Sequence, residues 1–135
     1  MNANNVGARY PDSFGSFAVA NAVPVYLGAT GNAVATLANT GSTYIVRRVT
    51  VAGASGSVAL ANVTILTSND GNTSNAVTNA AALTTVTGST KFQDLPLSTA
   101  AASTVYSTPL YVYVGTAAAA NNSVEFTVYG DVVSL

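Results

Sequence analysis

The chain has 135 residues, a net charge of −1 and only 7% charged residues, where typical globular proteins have about a quarter. Four basic residues are too few for the positively charged stripe on which nucleic-acid binding depends, so DNA and RNA are excluded as main ligands. No apolar run approaches the ~20 residues of a membrane-spanning helix, so we expect no membrane insertion.

The first 22 residues do not follow the periodicity of a helix or a strand. They contain three spaced aromatic residues, Tyr10, Phe14 and Phe17. We predict an extended N-terminal arm over residues 1–22, whose aromatic side chains fill an apolar pocket on the same domain or on a neighbouring subunit. The first ten residues, MNANNVGARY, lack the charged start and apolar stretch of a secretory signal, so we expect synthesis in the cytoplasm without processing.

A short hairpin is predicted after the arm. Residues 23–28 (VPVYLG) alternate as a strand does, and Pro24 indicates an edge strand because proline cannot donate to a neighbouring strand. Small and amide residues at 28–32 predict a turn, and residues 33–37 predict a second short strand.

Residues 44–52 (YIVRRVTVA) predict a longer strand. Strict alternation places Arg47 on the same side as Val49 and Val51, and Arg48 on the other side. An unpaired guanidinium is costly to bury, so we expect Arg47 to reach a carboxylate, a group of carbonyls or a subunit boundary, with an exposed salt bridge as the simpler alternative. The candidate carboxylates are Asp94, Glu125 and Asp131.

The middle of the chain predicts shorter strands. Residues 57–67 form a β-rich run, and they end at a turn containing Asp70 and Gly71. Residues 76–87 combine alanine with β-branched residues and predict a strand or an irregular crossing. Residues 91–97 predict another short strand.

The clearest alternation lies near the end of the chain. Residues 109–115 (PLYVYVG) and 123–133 (SVEFTVYGDVV) flank a loop of small and amide residues, which predicts a β-hairpin. One face is apolar and faces the core, and the other carries Tyr111, Tyr113 and Tyr129, available to a neighbour or packed beneath a loop of the same chain. The apolar residues are Leu110, Val112, Val114, Val124, Phe126 and Val128.

These segments predict an all-β protein. About eight short strands separated by turns, with no convincing helix, are typical of an antiparallel β-sandwich or a jelly roll. The length suits one core, so we predict a single β-sandwich domain over residues 23–135, following the N-terminal arm.

The sequence carries no pattern of catalytic residues. Histidine and cysteine are both absent, which removes the commonest general base, the commonest metal ligand and every thiolate site. The one acidic turn, at Asp70, falls well short of the ligand set of a calcium loop. We therefore expect no enzyme activity and no catalytic, cofactor-binding or metal-binding residues.

Four stretches nevertheless resemble a known group of proteins. Residues 44–52 (YIVRRVTVA), 87–95 (TGSTKFQDL) and 110–116 (LYVYVGT), together with 128–131 (VYGD), are similar to small β-sandwich head decoration proteins, or cement proteins, of tailed bacteriophages. The resemblance covers about residues 43–133 and leaves the N-terminal arm unmatched. It implies a structural protein on the capsid exterior of the virion, bound to the major capsid protein and stabilising the shell.

The resemblance also implies a homo-oligomer, with a trimer favoured over a dimer. Combined with the low charge of the chain, it leads us to a hypothesis about the residues that contact other subunits or the capsid. They are Tyr10, Phe14, Phe17, Arg47, Arg48, Tyr111 and Tyr113.

Two other classes of function fit the same residues. A carbohydrate-binding β-sandwich module of a phage fibre or spike would use exposed tyrosines to stack on sugars. A self-assembling tail or surface-layer subunit would use its low charge to pack against copies of itself.

Overall fold

A computed structural model describes residues 17–31, 36–37 and 43–133, and it confirms the all-β prediction. Two short 3-10 turns, Thr73–Asn75 and Ala100–Ala102, interrupt the loops. The strands are β1 (Phe17–Tyr26), β2 (Thr36–Leu37), β3 (Thr43–Ala52), β4 (Asn62–Leu66), β5 (Ala81–Ala82), β6 (Gln93–Leu95), β7 (Leu110–Thr116) and β8 (Ser123–Val133).

The strands form two antiparallel sheets that share one core. Sheet A has the order β1-β8-β3-β6, and sheet B has the order β2-β7-β4-β5. Buried side chains from both sheets belong to a single cluster, in which valine predominates. Valine suits this position because its branched side chain packs well on a pleated, buried surface. The β-sandwich and jelly-roll arrangements both stay predictions.

The predicted hairpin at the end of the chain is wrong, although the alternation is right. β7 pairs with β4 and β2 in sheet B, whereas β8 pairs with β1 and β3 in sheet A. Residues 117–122 therefore cross from one sheet to the other. Backbone hydrogen bonds hold this crossing against the end of β1, from Leu27 N to the Asn122 carbonyl (3.0 Å) and from Ala118 N to the Leu27 carbonyl (2.8 Å).

The predicted hairpin of residues 23–37 is also wrong. β1 pairs with β8, and β2 pairs with β7 in the other sheet. Period-two alternation defines which face of a strand is apolar, but it carries no information about which strand lies beside it. The edge position of Pro24 is confirmed, since β1 is the first strand of sheet A.

The arm predicted over residues 1–22 is wrong for residues 17–22, which belong to β1. Val19, Ala20 and Ala22 are buried against the core, while Val23 is 60% exposed. The register of β1 against β8 shifts twice along this strand, so burial does not follow a simple alternation. Phe17 begins β1, and Tyr10 and Phe14 lie outside the described residues.

A bulge in β3 determines where the two arginines lie. Val46 is opposite Gly130 and Arg48 is opposite Tyr129, so Arg47 is an extra residue in β3. The buried hydrophobic residues of β3 are Tyr44 and Val46 before the bulge, and Val49 and Val51 after it. The prediction that Arg47 shares the face of Val49 and Val51 is therefore wrong, because the extra residue keeps both arginines exposed.

Gly130 is required where β3 approaches β8 at this bulge. A Cβ added at position 130 would overlap the carbonyl oxygen of Ile45, which is backbone and cannot rotate away. We expect Gly130→Ala to lower the free energy of unfolding by about 2–4 kcal/mol, since both strands must move apart. Urea denaturation followed by circular dichroism measures this change.

Gly88→Ala is the matched control, because no heavy atom lies within 4 Å of the added Cβ there. Its free energy of unfolding should stay within about 0.5 kcal/mol of the wild type. Equal effects of the two substitutions would contradict the role given to the bulge.

Candidate functional site

Most charged residues in the described part of the chain lie on the outer face of sheet A. Seven charged residues lie in the described part of the chain, and all but Asp70 and Lys91 are on this face. The five that remain are Arg47, Arg48, Asp94, Glu125 and Asp131.

Both arginines form ion pairs within the chain. Arg47 Nε lies 2.9 Å from Asp131 Oδ2, and Arg48 Nε lies 2.9 Å from Asp94 Oδ1. The Arg48 guanidinium carbon also lies 5.7 Å from the centroid of the Tyr129 ring, within the range of a cation–π contact. The arginine side chains are 46% and 48% exposed, so each pair contributes at most about 1 kcal/mol to stability.

Asp94 has a lowered pKa. Desolvation alone would raise the pKa, but the hydrogen bonds from Arg48 and Thr50 and the positive charge of Arg48 outweigh it. Thr50 Oγ1 donates to the same carboxylate oxygen as Arg48, at 2.8 Å. The hydrogen bond from Arg48 to Asp94 also raises the pKa of Arg48. The pair therefore stays ionised throughout the neutral range.

The edge strand β1 contributes one side-chain amide to this face, that of Asn21. Asn21 in β1 donates its side-chain amide to Glu125 Oε2 at 2.7 Å and to Thr127 Oγ1 at 3.2 Å. The sequence pattern does not indicate Asn21, because its position opposite Thr127 follows only from the pairing of β1 with β8. The exposed salt bridge predicted for Arg47 is confirmed, and of its three candidate carboxylates the partner is Asp131.

The outer face of sheet B has a different chemistry. Tyr111 and Tyr113 point outward from β7 and are half-buried, whereas Val112 between them is fully buried, as the alternation predicts. On β4, Thr64 lies opposite Tyr113 and Leu66 lies opposite Tyr111. The strands of this sheet contain no charged residue.

The predicted contact residues are thus divided between two faces. Arg47 and Arg48 lie on sheet A, and Tyr111 and Tyr113 lie on sheet B, because β7 and β8 do not pair. Tyr129, predicted beside the other two tyrosines, lies with the arginines. The structure does not bring these residues into one surface.

Two further tyrosines are structural. Tyr44 Oη donates to the Thr108 carbonyl at 2.6 Å, and burial, together with the nearby Tyr106, raises the pKa of Tyr44 to about 12. Tyr106 also lines an open pocket of about 130 Å³, together with Thr67, Asn75 and Thr104. These contacts fix the segment before β7 onto β3.

The described residues contain no group of three or more side chains able to hold a metal ion. In the same part of the chain, no helix is long and apolar enough to cross a membrane. No protein family model, curated protein or solved structure matches the chain. The two outer faces are therefore the features from which a function has to be argued.

The ion pair between Arg48 and Asp94 should affect how the Asp94 carboxyl group titrates. Because the folded pKa of Asp94 is below its ordinary value of 3.8, ionised Asp94 stabilises the fold above that value. This stabilisation is lost as the pH falls through the folded pKa. We expect Arg48→Gln to raise the pKa of Asp94, as measured by carboxyl-carbon NMR titration.

Asp70 is an internal control for this experiment. Hydrogen bonds from the Ser68 hydroxyl and the Asn72 backbone lower its pKa, and Arg48 takes no part in them. The pKa of Asp70 should therefore be the same in the variant and in the wild type. An unchanged Asp94 pKa would show that the ion pair does not form in solution.

Proposed function

We propose that this protein is a structural protein of a virus particle, a decoration or cement protein that binds the outside of a tailed-phage head and stabilises the shell. The sequence stretches that resemble such proteins support this proposal. The observation that carries it furthest is the pair of half-buried tyrosines, Tyr111 and Tyr113, on the uncharged β7 strand of sheet B. Thr64 and Leu66, which lie opposite them on β4, are already buried within the chain, so the tyrosines are the part of this face that a partner can reach.

Sheet B has the composition of a protein-contact surface. The cores of protein interfaces are depleted in charge and enriched in tyrosine, which offers a large contact area with few rotatable bonds. Tyr111 and Tyr113 are two residues apart on β7 and therefore point in the same direction. Burying this face against the major capsid protein would desolvate two hydroxyl groups and no ion.

Sheet A is the less favourable face to bury. Docking it would remove water from two ion pairs and from the Glu125 carboxylate, which has no cationic partner among the described residues. Desolvating charges is costly unless a partner replaces every lost hydrogen bond. We therefore place sheet B towards the shell and sheet A towards the solvent.

In such an assembly, many weak contacts together are sufficient to hold the protein on the shell. A net charge of −1 gives little repulsion between neighbouring copies. A shell presents many equivalent sites, and an oligomer that binds several of them at once gains affinity without new contacts. We propose a homo-oligomer, with a trimer favoured over a dimer.

The contact face is tested with a double variant, Tyr111→Ser with Tyr113→Ser. We expect it to bind expanded phage heads stripped of external proteins at least about tenfold more weakly than the wild type, because the aromatic area of the contact is lost. Co-sedimentation over a range of protein concentrations measures the occupancy.

Tyr129→Ser is the matched control, since it removes a tyrosine from the opposite sheet. Its occupancy of the heads should equal that of the wild type. Circular dichroism and thermal unfolding confirm that both variants are folded. If Tyr129→Ser releases the protein as strongly as the double variant, sheet B is not the contact face.

The oligomer is measured by size exclusion with light scattering. We expect a species of three times the chain mass of 13.5 kDa at the concentrations used for co-sedimentation. Rings or sheets formed without capsids would instead favour a tail or surface-layer subunit. A monomer that does not bind heads would contradict both assignments.

A further inference from the structure

A row of polar side chains crosses all four strands of sheet A. Asn21 on β1 is opposite Thr127 on β8, which is opposite Thr50 on β3, which in turn is opposite Asp94 on β6. With strands about 4.8 Å apart, the row is about 14 Å long. That length matches a chain of several sugar rings better than a single small ion.

An aromatic ring lies beside this row. Tyr129 is two residues from Thr127 on β8, so the two side chains point to the same face. The ring is half-buried, and Arg48 contacts it from the neighbouring strand. Because the Arg48 guanidinium lies over the ring, a stacked sugar would contact the part of the ring that Arg48 leaves open.

The polar groups of the face are only partly used within the described residues. One oxygen of Asp94 accepts from both Arg48 and Thr50, and one oxygen of Glu125 accepts from Asn21. The second oxygen of each carboxylate has no hydrogen bond to a described residue, and among the described residues Arg48 donates through Nε alone. Acceptors and donors thus remain along the sheet on the Thr127 side of the Tyr129 ring.

The charge of the face selects a neutral ligand. Two arginines and three carboxylates give a sum of +2 − 3 = −1, and both arginines are already paired with carboxylates. A phosphate or sulfate group would meet a surface with slight negative charge. A polyhydroxyl ligand both donates and accepts hydrogen bonds, and its C–H groups suit the negative face of an aromatic ring.

We propose that the outer face of sheet A binds a neutral glycan. Tyr129 stacks on one sugar ring, Asp94 and Glu125 accept hydrogen bonds from hydroxyl groups, and the terminal nitrogens of Arg48 donate to sugar oxygens. This site does not depend on the proposed docking of sheet B, because it lies on the opposite face. On a particle docked through sheet B, it would face outward.

The test uses the whole chain and a panel of neutral oligosaccharides of three to six sugars, built from glucose, galactose, mannose or N-acetylglucosamine. We expect binding of at least one of them with a Kd of about 1 mM, measured by chemical shift changes in amide NMR spectra. The shifted amides should lie on β3, β6 and β8 around Tyr129. Tyr129→Ala should weaken binding about tenfold or more, which corresponds to about 1.4 kcal/mol.

Two further variants separate stacking from a general loss of structure. Tyr129→Phe keeps the ring and should retain most of the affinity. Tyr113→Ala removes an aromatic residue from sheet B and should leave the affinity unchanged. Glu125→Gln keeps the size of the side chain and should weaken binding by removing a charged acceptor.

Three results would overturn the proposal: no binding by any neutral oligosaccharide, equal binding by wild type and Tyr129→Ala, or binding restricted to sulfated or sialylated chains. Loss of binding in Tyr113→Ala would move the site to sheet B and would also overturn it. Each result is independent of head binding, because glycan binding is measured on the isolated protein, without heads. Failure of one proposal is therefore distinguishable from failure of the other.

Discussion

The close approach of β3 to β8 at Gly130 governs the distribution of charge in this protein. A side chain at position 130 would overlap the Ile45 carbonyl, and the extra residue in β3 at this point is Arg47. Without that bulge, the alternation from Val49 and Val51 would turn one guanidinium toward the core, where burial without full pairing is costly. With the bulge, both arginines reach carboxylates on the outer face, and the core remains apolar.

A second constraint sets which face each tyrosine occupies. Asn122, at the end of the crossing between β7 and β8, donates its side-chain amide to the Ser57 carbonyl at 3.0 Å. A Cβ at Gly56 would lie 2.7 Å from the same amide nitrogen, so a larger residue there would displace the Asn122 side chain. The amide thus holds the crossing against the loop that follows β3. As a consequence, Tyr113 and Tyr129 lie on different sheets.

The sequence predicts which side of each strand is buried better than it predicts which strands pair. The buried side of β7 and β8 follows from local period-two alternation, which a one-dimensional pattern contains. Which strand lies beside which does not follow from local alternation, since β7 pairs with β4, which precedes it by more than forty residues. The bulge at Arg47 was equally inaccessible, because it depends on a glycine in another strand. Of the polar face, the sequence predicts Asp131 as one of three candidate partners of Arg47, but it predicts neither the Arg48–Asp94 pair nor Asn21, because both depend on which strands pair.

The two faces have different consequences for an assembly. The uncharged face of sheet B loses little hydration when it is covered, whereas the ion pairs of sheet A favour contact with water. Opposite charges 2.9 Å apart cancel each other over short distances, so the field of each pair decays well within a Debye length of about 8 Å. Neighbouring copies can then lie side by side without repulsion while each keeps a hydrated outer face. Low net charge and a locally charged surface are therefore compatible, because four of the seven charged residues in the described part of the chain form ion pairs across strands.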